Sequence, residues 1–185
     1  GSWVFLLAAG SGVLNNIQDR DFDRAFSRTQ NRVLPTGSFP VKGAWIITLI
    51  LIGSAGVGLY FLYSTLPVIL GMAAVVCYNA IYTPMKKTSL WAMVPGTVCG
   101  MIPPAMGWVA VPGHLCSKNI IDLVILMVCL GIWQFPHYLL VGLKQGDTGR
   151  GFQRVWPGRD LQYQVLIWTA LFCLGMALFL LRGGL

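Results

Sequence analysis

Asn15-Asn16-Ile17-Gln18-Asp19-Arg20-Asp21-Phe22-Asp23-Arg24 follows directly on an apolar run that begins at Trp3. A dense cluster of acids, amides and arginines therefore emerges from what reads as a membrane helix. At 3.6 residues per turn, Asn15, Asp19 and Asp23 stack on one helical face, while Asp21 points away. Two carboxylates and an amide offer hard oxygen ligands to a divalent cation. Mg²⁺ suits such a set, because it takes one or two carboxylates and leaves positions for water and substrate phosphates. The competing reading is a solvated helix end, with Arg20 paired to Asp23 and Asp21 to Arg24. Like charges four residues apart, as at Asp19 and Asp23, destabilise a helix unless a cation or an arginine compensates. The cluster therefore favours metal–phosphate chemistry.

The composition sets the solvent. Of 185 residues, 56% are hydrophobic and 10% charged, with a mean hydropathy of +0.68. A soluble domain carries about 25% charged residues, so the chain is expected to be an integral membrane protein. Gly43 to Met85 and Thr88 to Ser117 contain no charge at all, and about 20 apolar residues suffice to cross a bilayer. Six spans are expected: Trp3–Asp23, Ala44–Tyr63, Leu66–Tyr82, Leu90–Val111, Leu123–Leu143 and Leu161–Leu181. The second and third form a hairpin turned at Ser64-Thr65-Leu66-Pro67. The fourth is rich in helix breakers (Pro95, Gly96, Gly100, Pro103, Pro104, Gly107), tolerated where neighbours or a cavity satisfy the freed backbone groups. The fold class is an all-α, polytopic transmembrane helical bundle, with residues 1–185 forming a single membrane-embedded domain.

Thirteen basic against six acidic residues give a formal net charge of +7, and topology accounts for the excess without nucleic acid. Arg20, Arg24, Arg28, Arg32 and Lys42 lie between spans one and two, Lys86 and Lys87 between three and four, and Lys144, Arg150, Arg154 and Arg159 between five and six. Lys118 and Arg182 are left on the opposite side. The positive-inside rule makes the first side cytoplasmic, or its organellar equivalent. Cys77, Cys99, Cys116, Cys129 and Cys173 show no Cys-x-x-Cys pair and read as small buried hydrophobes.

Other chemistry-bearing residues fall on the same side. Arg28 and Arg32, in Ser27-Arg28-Thr29-Gln30-Asn31-Arg32-Val33-Leu34-Pro35-Thr36-Gly37, offer guanidinium forks that match phosphate oxygens; positive-inside anchoring is the alternative. Tyr82 and Lys86 are four apart, so a phenol and an ammonium can meet one phosphate, although Pro84 disturbs helical phase and an interfacial belt is the plainer reading. His137, in Trp133-Gln134-Phe135-Pro136-His137-Tyr138, is an ionisable group inside a span and a functional candidate for that reason. It can ligate a haem iron, move a proton or bond a backbone carbonyl. His114 reads as a surface residue. Asp147 is a lone carboxylate among basic residues, able to carry a second metal or to balance charge.

Together these pieces resemble the UbiA superfamily of intramembrane prenyltransferases. Asn15, Asp19 and Asp23 meet its Asn-x-x-x-Asp-x-x-x-Asp signature, and Tyr82 with Lys86 its Tyr-x-x-x-Lys element. Within it the chain looks most like the haem-farnesylating branch, through Asp19-Arg20-Asp21-Phe22-Asp23, the Arg28–Gly37 loop, Tyr82-Thr83, Ile102-Pro103-Pro104-Ala105-Met106-Gly107-Trp108 and Trp133–His137. The family's second acidic motif usually opens with paired acids; here only Asp147 stands, followed by Val155-Trp156-Pro157. A family member has about nine spans, so one before Trp3 and others after Leu185 are expected.

The resemblance implies transfer of a farnesyl group from farnesyl diphosphate to a vinyl group of haem b. Asn15, Asp19 and Asp23, with Asp147, would hold Mg²⁺; Arg28, Arg32, Tyr82 and Lys86 would bind the diphosphate; His137 would bind the porphyrin. Asn15, Asp19, Asp23 and Lys86 would form the catalytic set. It also implies a bacterial or mitochondrial inner membrane. A quinone or other aromatic acceptor, or a non-catalytic haem- or lipid-binding membrane protein, are the alternatives.

Overall fold

The computed structural model describes residues 1–111, 117–144 and 158–182. Every element among them is helical: α1 (Ser2–Arg24), α2 (Val41–Leu62), α3 (Thr65–Val76), a π-helical segment Cys77–Tyr82, a last turn α4 (Thr83–Met85), a 3₁₀ turn Leu90–Ala92, α5 (Met93–Val109), α6 (Ser117–Lys144) and α7 (Gly158–Leu181). The six expected spans are thus six helical runs at the expected places. Four are long and apolar enough to cross a membrane: Val41–Leu62, Thr65–Met85, Ile120–His137 and Gln162–Leu181. α1 runs into its charged cluster, and α5 has 17 residues. Leu49, Phe61, Leu166 and Leu181 are exposed on these runs, a pattern that makes lipid the solvent of the outer faces. This is an integral membrane protein.

The chain divides into two compact units, Gly1–Pro84 and Met85–Leu185. In the first, α1 and α2 pack antiparallel with contacts seven residues apart. Gly58 leaves room for the indole of Trp3, and a Cβ on Gly10 would lie 2.7 Å from Ile52 Cγ1 and 3.0 Å from Leu51 Cβ. Small residues at such crossings let backbones approach where no hydrophobic effect drives association. The α2–α3 turn is tighter than expected. Only Tyr63 and Ser64 connect the helices, and Pro67 lies inside the first turn of α3, buried. There its missing N–H costs nothing, because first-turn amides have no intrahelical partner.

In the second unit α6 and α7 also run antiparallel, with contacts seven residues apart on α7 and six or seven apart on α6. Arg182 Nε donates to Asp122 Oδ1 at 3.3 Å, Gly175 faces Cys129, and the rings of Phe135 and Trp168 stack 4.4 Å apart. The seven-residue repeat is the spacing that keeps one helix stripe facing its partner along a supercoil. On the α5–α6 side, Gly100 leaves room for the Gln134 side chain. All the described cysteines are free, but only Cys129 is buried; Cys173 is exposed on α7, so the small-hydrophobe reading applies there to a lipid-facing side chain.

Candidate functional site

The expected face of α1 is real and longer than expected. Leu7, Ser11, Asn15, Asp19 and Asp23 follow one another at i, i+4, and all are buried. Asp19 is 5% and Asp23 2% exposed, which no solvated helix end would show. Asp21, on the opposite face, accepts from Arg24 Nη1 at 3.0 Å and lies 3.3 Å from Arg20 Nε. The i, i+3 pairing of Asp21 with Arg24 therefore forms, whereas Asp23 pairs with Arg32 and not Arg20. Arg32 Nη1 donates to Asp23 Oδ2 at 2.8 Å and reaches Asn16 Oδ1 at 3.4 Å.

The loop brings Arg32 there through a succession of tight turns. Thr29 Oγ1 donates to the Asp23 carbonyl at 3.0 Å, satisfying one of the orphan acceptors at the helix end. Arg24 Nε donates to the Pro35 carbonyl at 3.0 Å, and Gly37 takes φ +77° to turn the chain toward α2. Between loop and helices lies a cavity of about 610 Å³ lined by Val13, Asn16, Asp23, Asn31, Arg32, Val33, Leu34, Pro35, Phe39, Ala44 and Ile47. Its wall is mostly apolar, with a carboxylate, a guanidinium and two amides along it. Arg28 is exposed on the same loop.

The other wall of the α1 row is the π segment, and Pro84 explains it. Thr83 N–H bonds the Tyr78 carbonyl, five residues back. In that register the Asn79 carbonyl would receive the amide of residue 84, which proline lacks. Gln18 Nε2 takes it instead, at 3.0 Å. Asn79 Nδ2 donates to Ser11 Oγ at 2.6 Å, and Asn15 Nδ2 to Thr83 Oγ1 at 2.8 Å. Ser11, Gln18, Asn79 and Thr83 form a polar seam that motif reading missed. The signal was present in part: Ser11 extends the four-residue spacing, and Pro84 marks the broken register. π segments of this kind recur at functional sites.

Tyr82 stacks on Tyr78 at 5.3 Å, and Lys86 belongs to the second unit. His137 is exposed and stacks on Trp133 at 5.2 Å. Asp147 and His114 lie outside the described residues.

The donor set fits a divalent cation held by oxygen. Among the described residues no three His, Cys, Asp or Glu side chains group as metal ligands; the Asn15 amide stands beside the two carboxylates as a further oxygen donor on the same buried face. Asp19 has other interactions, yet its Oδ1 is a buried atom with no hydrogen bond among the described residues, as is Asn79 Oδ1. Arg32 faces the Asp23 carboxylate.

The sequence profile of the UbiA prenyltransferase family matches residues 2–185. The chain belongs to that family. Among curated UbiA-type relatives it is similar to the protoheme IX farnesyltransferase of Oleidesulfovibrio alaskensis, 35% identical over 137 residues, 74% of this chain and 48% of that protein. It is 36% identical to the protein of the same name in Cytophaga hutchinsonii over 175 residues, 92% of this chain and 59% of the relative. The Geobacter sulfurreducens protein of that name is 36% identical over 149 residues, 80% of this chain and 53% of its own length. The chain thus spans about half the length of the curated relatives it matches. No solved structure matches. Prenyltransferases of the UbiA family depend in general on a divalent metal.

Proposed function

We propose that this chain belongs to an intramembrane prenyltransferase that moves a farnesyl group from farnesyl diphosphate to a vinyl group of haem b. The observation that carries the reading is the buried row Asn15, Asp19 and Asp23, whose last member pairs with Arg32 and with it lines a 610 Å³ cavity. Asn15, Asp19 and Asp23 hold Mg²⁺, with Asp147 as a further ligand. Bound there, the ion supplies Lewis-acid stabilisation of the charge that develops on the leaving diphosphate.

The remaining work belongs to side chains. Among the described residues Arg32 bonds Asp23 and Asn16 through Nη1, so Nε and Nη2 are the edge of the fork to present to phosphate oxygens while Asp23 keeps the group oriented. Arg28, Tyr82 and Lys86 add donors to the same diphosphate. As the C–O bond to diphosphate breaks, the allylic carbon is attacked by the haem vinyl π electrons. Water then adds to the carbon left electron-poor and loses a proton, giving a hydroxyethylfarnesyl side chain and free diphosphate. The apolar wall keeps water from the allylic carbon before the vinyl group reaches it. His137, with Trp133 stacked on it, offers a ring face and a nitrogen to the porphyrin.

Similarity to relatives named protoheme IX farnesyltransferase supports the acceptor. The same reading puts residues 1–185 in one prenyltransferase domain of an inner membrane, with the arginine loop on the cytoplasmic or matrix side. Membranes containing the full-length protein, given haem b, farnesyl diphosphate and Mg²⁺, are expected to yield the hydroxyethylfarnesyl product by mass. Diphosphate release with a quinone and none with haem b would replace the acceptor. No diphosphate release with any acceptor would overturn the enzyme reading.

A further inference from the structure

We propose that Thr83 is a positioning residue that fixes which end of the Asn15 amide faces the metal; the inference rests on the metal reading above. Thr83 is 1% exposed, and its hydroxyl has one proton to give. It lies 2.8 Å from the Tyr78 carbonyl oxygen, which can only accept, so the proton goes there. Toward Asn15, also at 2.8 Å, the hydroxyl can then only accept. Asn15 must therefore present Nδ2 to Thr83 and turn Oδ1 the other way.

An asparagine amide is nearly symmetric in shape, and only its hydrogen-bond partners distinguish its two ends. With nitrogen toward a cation the group repels it; with oxygen it is a ligand. Since the described residues bring only two carboxylates to this row, the orientation of the amide decides whether a third side chain on it can ligate through oxygen. The π register supplies the acceptor that commits the Thr83 proton, because Thr83 N–H and Oγ1 both bond Tyr78 O. Pro84 has no amide to give the Asn79 carbonyl in that register, and Gln18 Nε2 satisfies that carbonyl without contacting Thr83 or Asn15.

The test uses full-length protein in nanodiscs with an unreactive farnesyl thiodiphosphate, and reads Mn²⁺ binding by electron paramagnetic resonance. Thr83→Val keeps shape and removes polarity. It is expected to weaken Mn²⁺ binding about tenfold, the range seen when partners that orient a metal ligand are removed. Thr83→Ser should restore binding to within about twofold of wild type, since it keeps the hydroxyl. Gln18→Leu cuts the seam without touching Asn15 and should leave Mn²⁺ binding unchanged. Wild-type binding by a folded Thr83→Val protein, an equal loss in Thr83→Ser, or an equal loss in Gln18→Leu would each overturn the positioning role. Absence of Mn²⁺ binding by wild type would instead sink the metal reading, and this inference with it. Asn15→Asp gives an independent check: either oxygen of a carboxylate ligates, so adding Thr83→Val to it should change binding by less than about twofold.

Discussion

The seam between α1 and the Cys77–Met85 run is polar, whereas the seam between α6 and α7 is apolar along most of its length. In the first, Ser11, Asn15 and Gln18 meet Asn79 and Thr83 through hydrogen bonds of 2.6–3.0 Å. In the second, Cys129 fits against Gly175 and Phe135 stacks on Trp168. Both join helices in a membrane protein, where polar and steric interactions replace the hydrophobic drive. A seam needed only for packing can be built from glycine and rings. One that spends buried amides, and leaves Asn79 Oδ1 without a hydrogen bond among the described residues, is arranged for something besides packing, since such an atom costs about 1–3 kcal/mol.

Substitutions in the two seams should therefore fail differently. Asp19→Ala is expected to cost product formation about 10²–10³-fold, the scale of several kcal/mol lost from transition-state charge stabilisation. Its thermal unfolding midpoint should stay near wild type or rise, because a buried carboxylate beside Asp23 is removed. Full activity in that variant would make the polar seam structural and erase the contrast. Gly175→Leu should do the opposite: overpacking against Cys129 costs about 1–3 kcal/mol, read as a lower unfolding midpoint in detergent, with Mn²⁺ binding by the folded fraction unchanged. Arg32→Lys sharpens the comparison from the loop side. It keeps the charge near Asp23 but loses the planar fork, so the KM for farnesyl diphosphate should rise about tenfold, on the scale of one charge-assisted hydrogen bond.

How far the sequence carried these distinctions depended on range. The α1 face was legible, because a four-residue spacing of oxygen-bearing side chains needs only helical periodicity to interpret. Helix positions were legible from uncharged lengths. What could not be seen was the partner of each polar group. Arg20 is nearer to Asp23 in sequence than Arg32 is, but only the fold of the 25–40 loop shows that Arg32 reaches it. Thr83 and Asn79 were hidden for a related reason. Their positions follow from a π register that begins at Cys77, and a residue-by-residue α phase across that stretch misplaces everything after it. Pro84 announced a disturbance without saying which carbonyl would be freed or who would take it.

The smallest expected effect tests the phase argument itself. Asp21 stands two residues from Asp19 and two from Asp23, with the same chemistry, yet its side chain is 78% exposed and shared between Arg20 and Arg24. Exposed pairs of this kind contribute about 0–1 kcal/mol, and the carboxylate points away from the cavity that Asp23 lines. Asp21→Asn should therefore leave turnover and Mn²⁺ binding within about twofold of wild type and shift stability by no more than about 0.5 kcal/mol. Asp19→Asn, an equally conservative change on the other face, should lose most activity. If the two variants behaved alike, helical phase would not be what separates solvated charge from buried ligand. The acid cluster would then act as a diffuse negative field, and the row of oxygens would lose its claim to a defined ion.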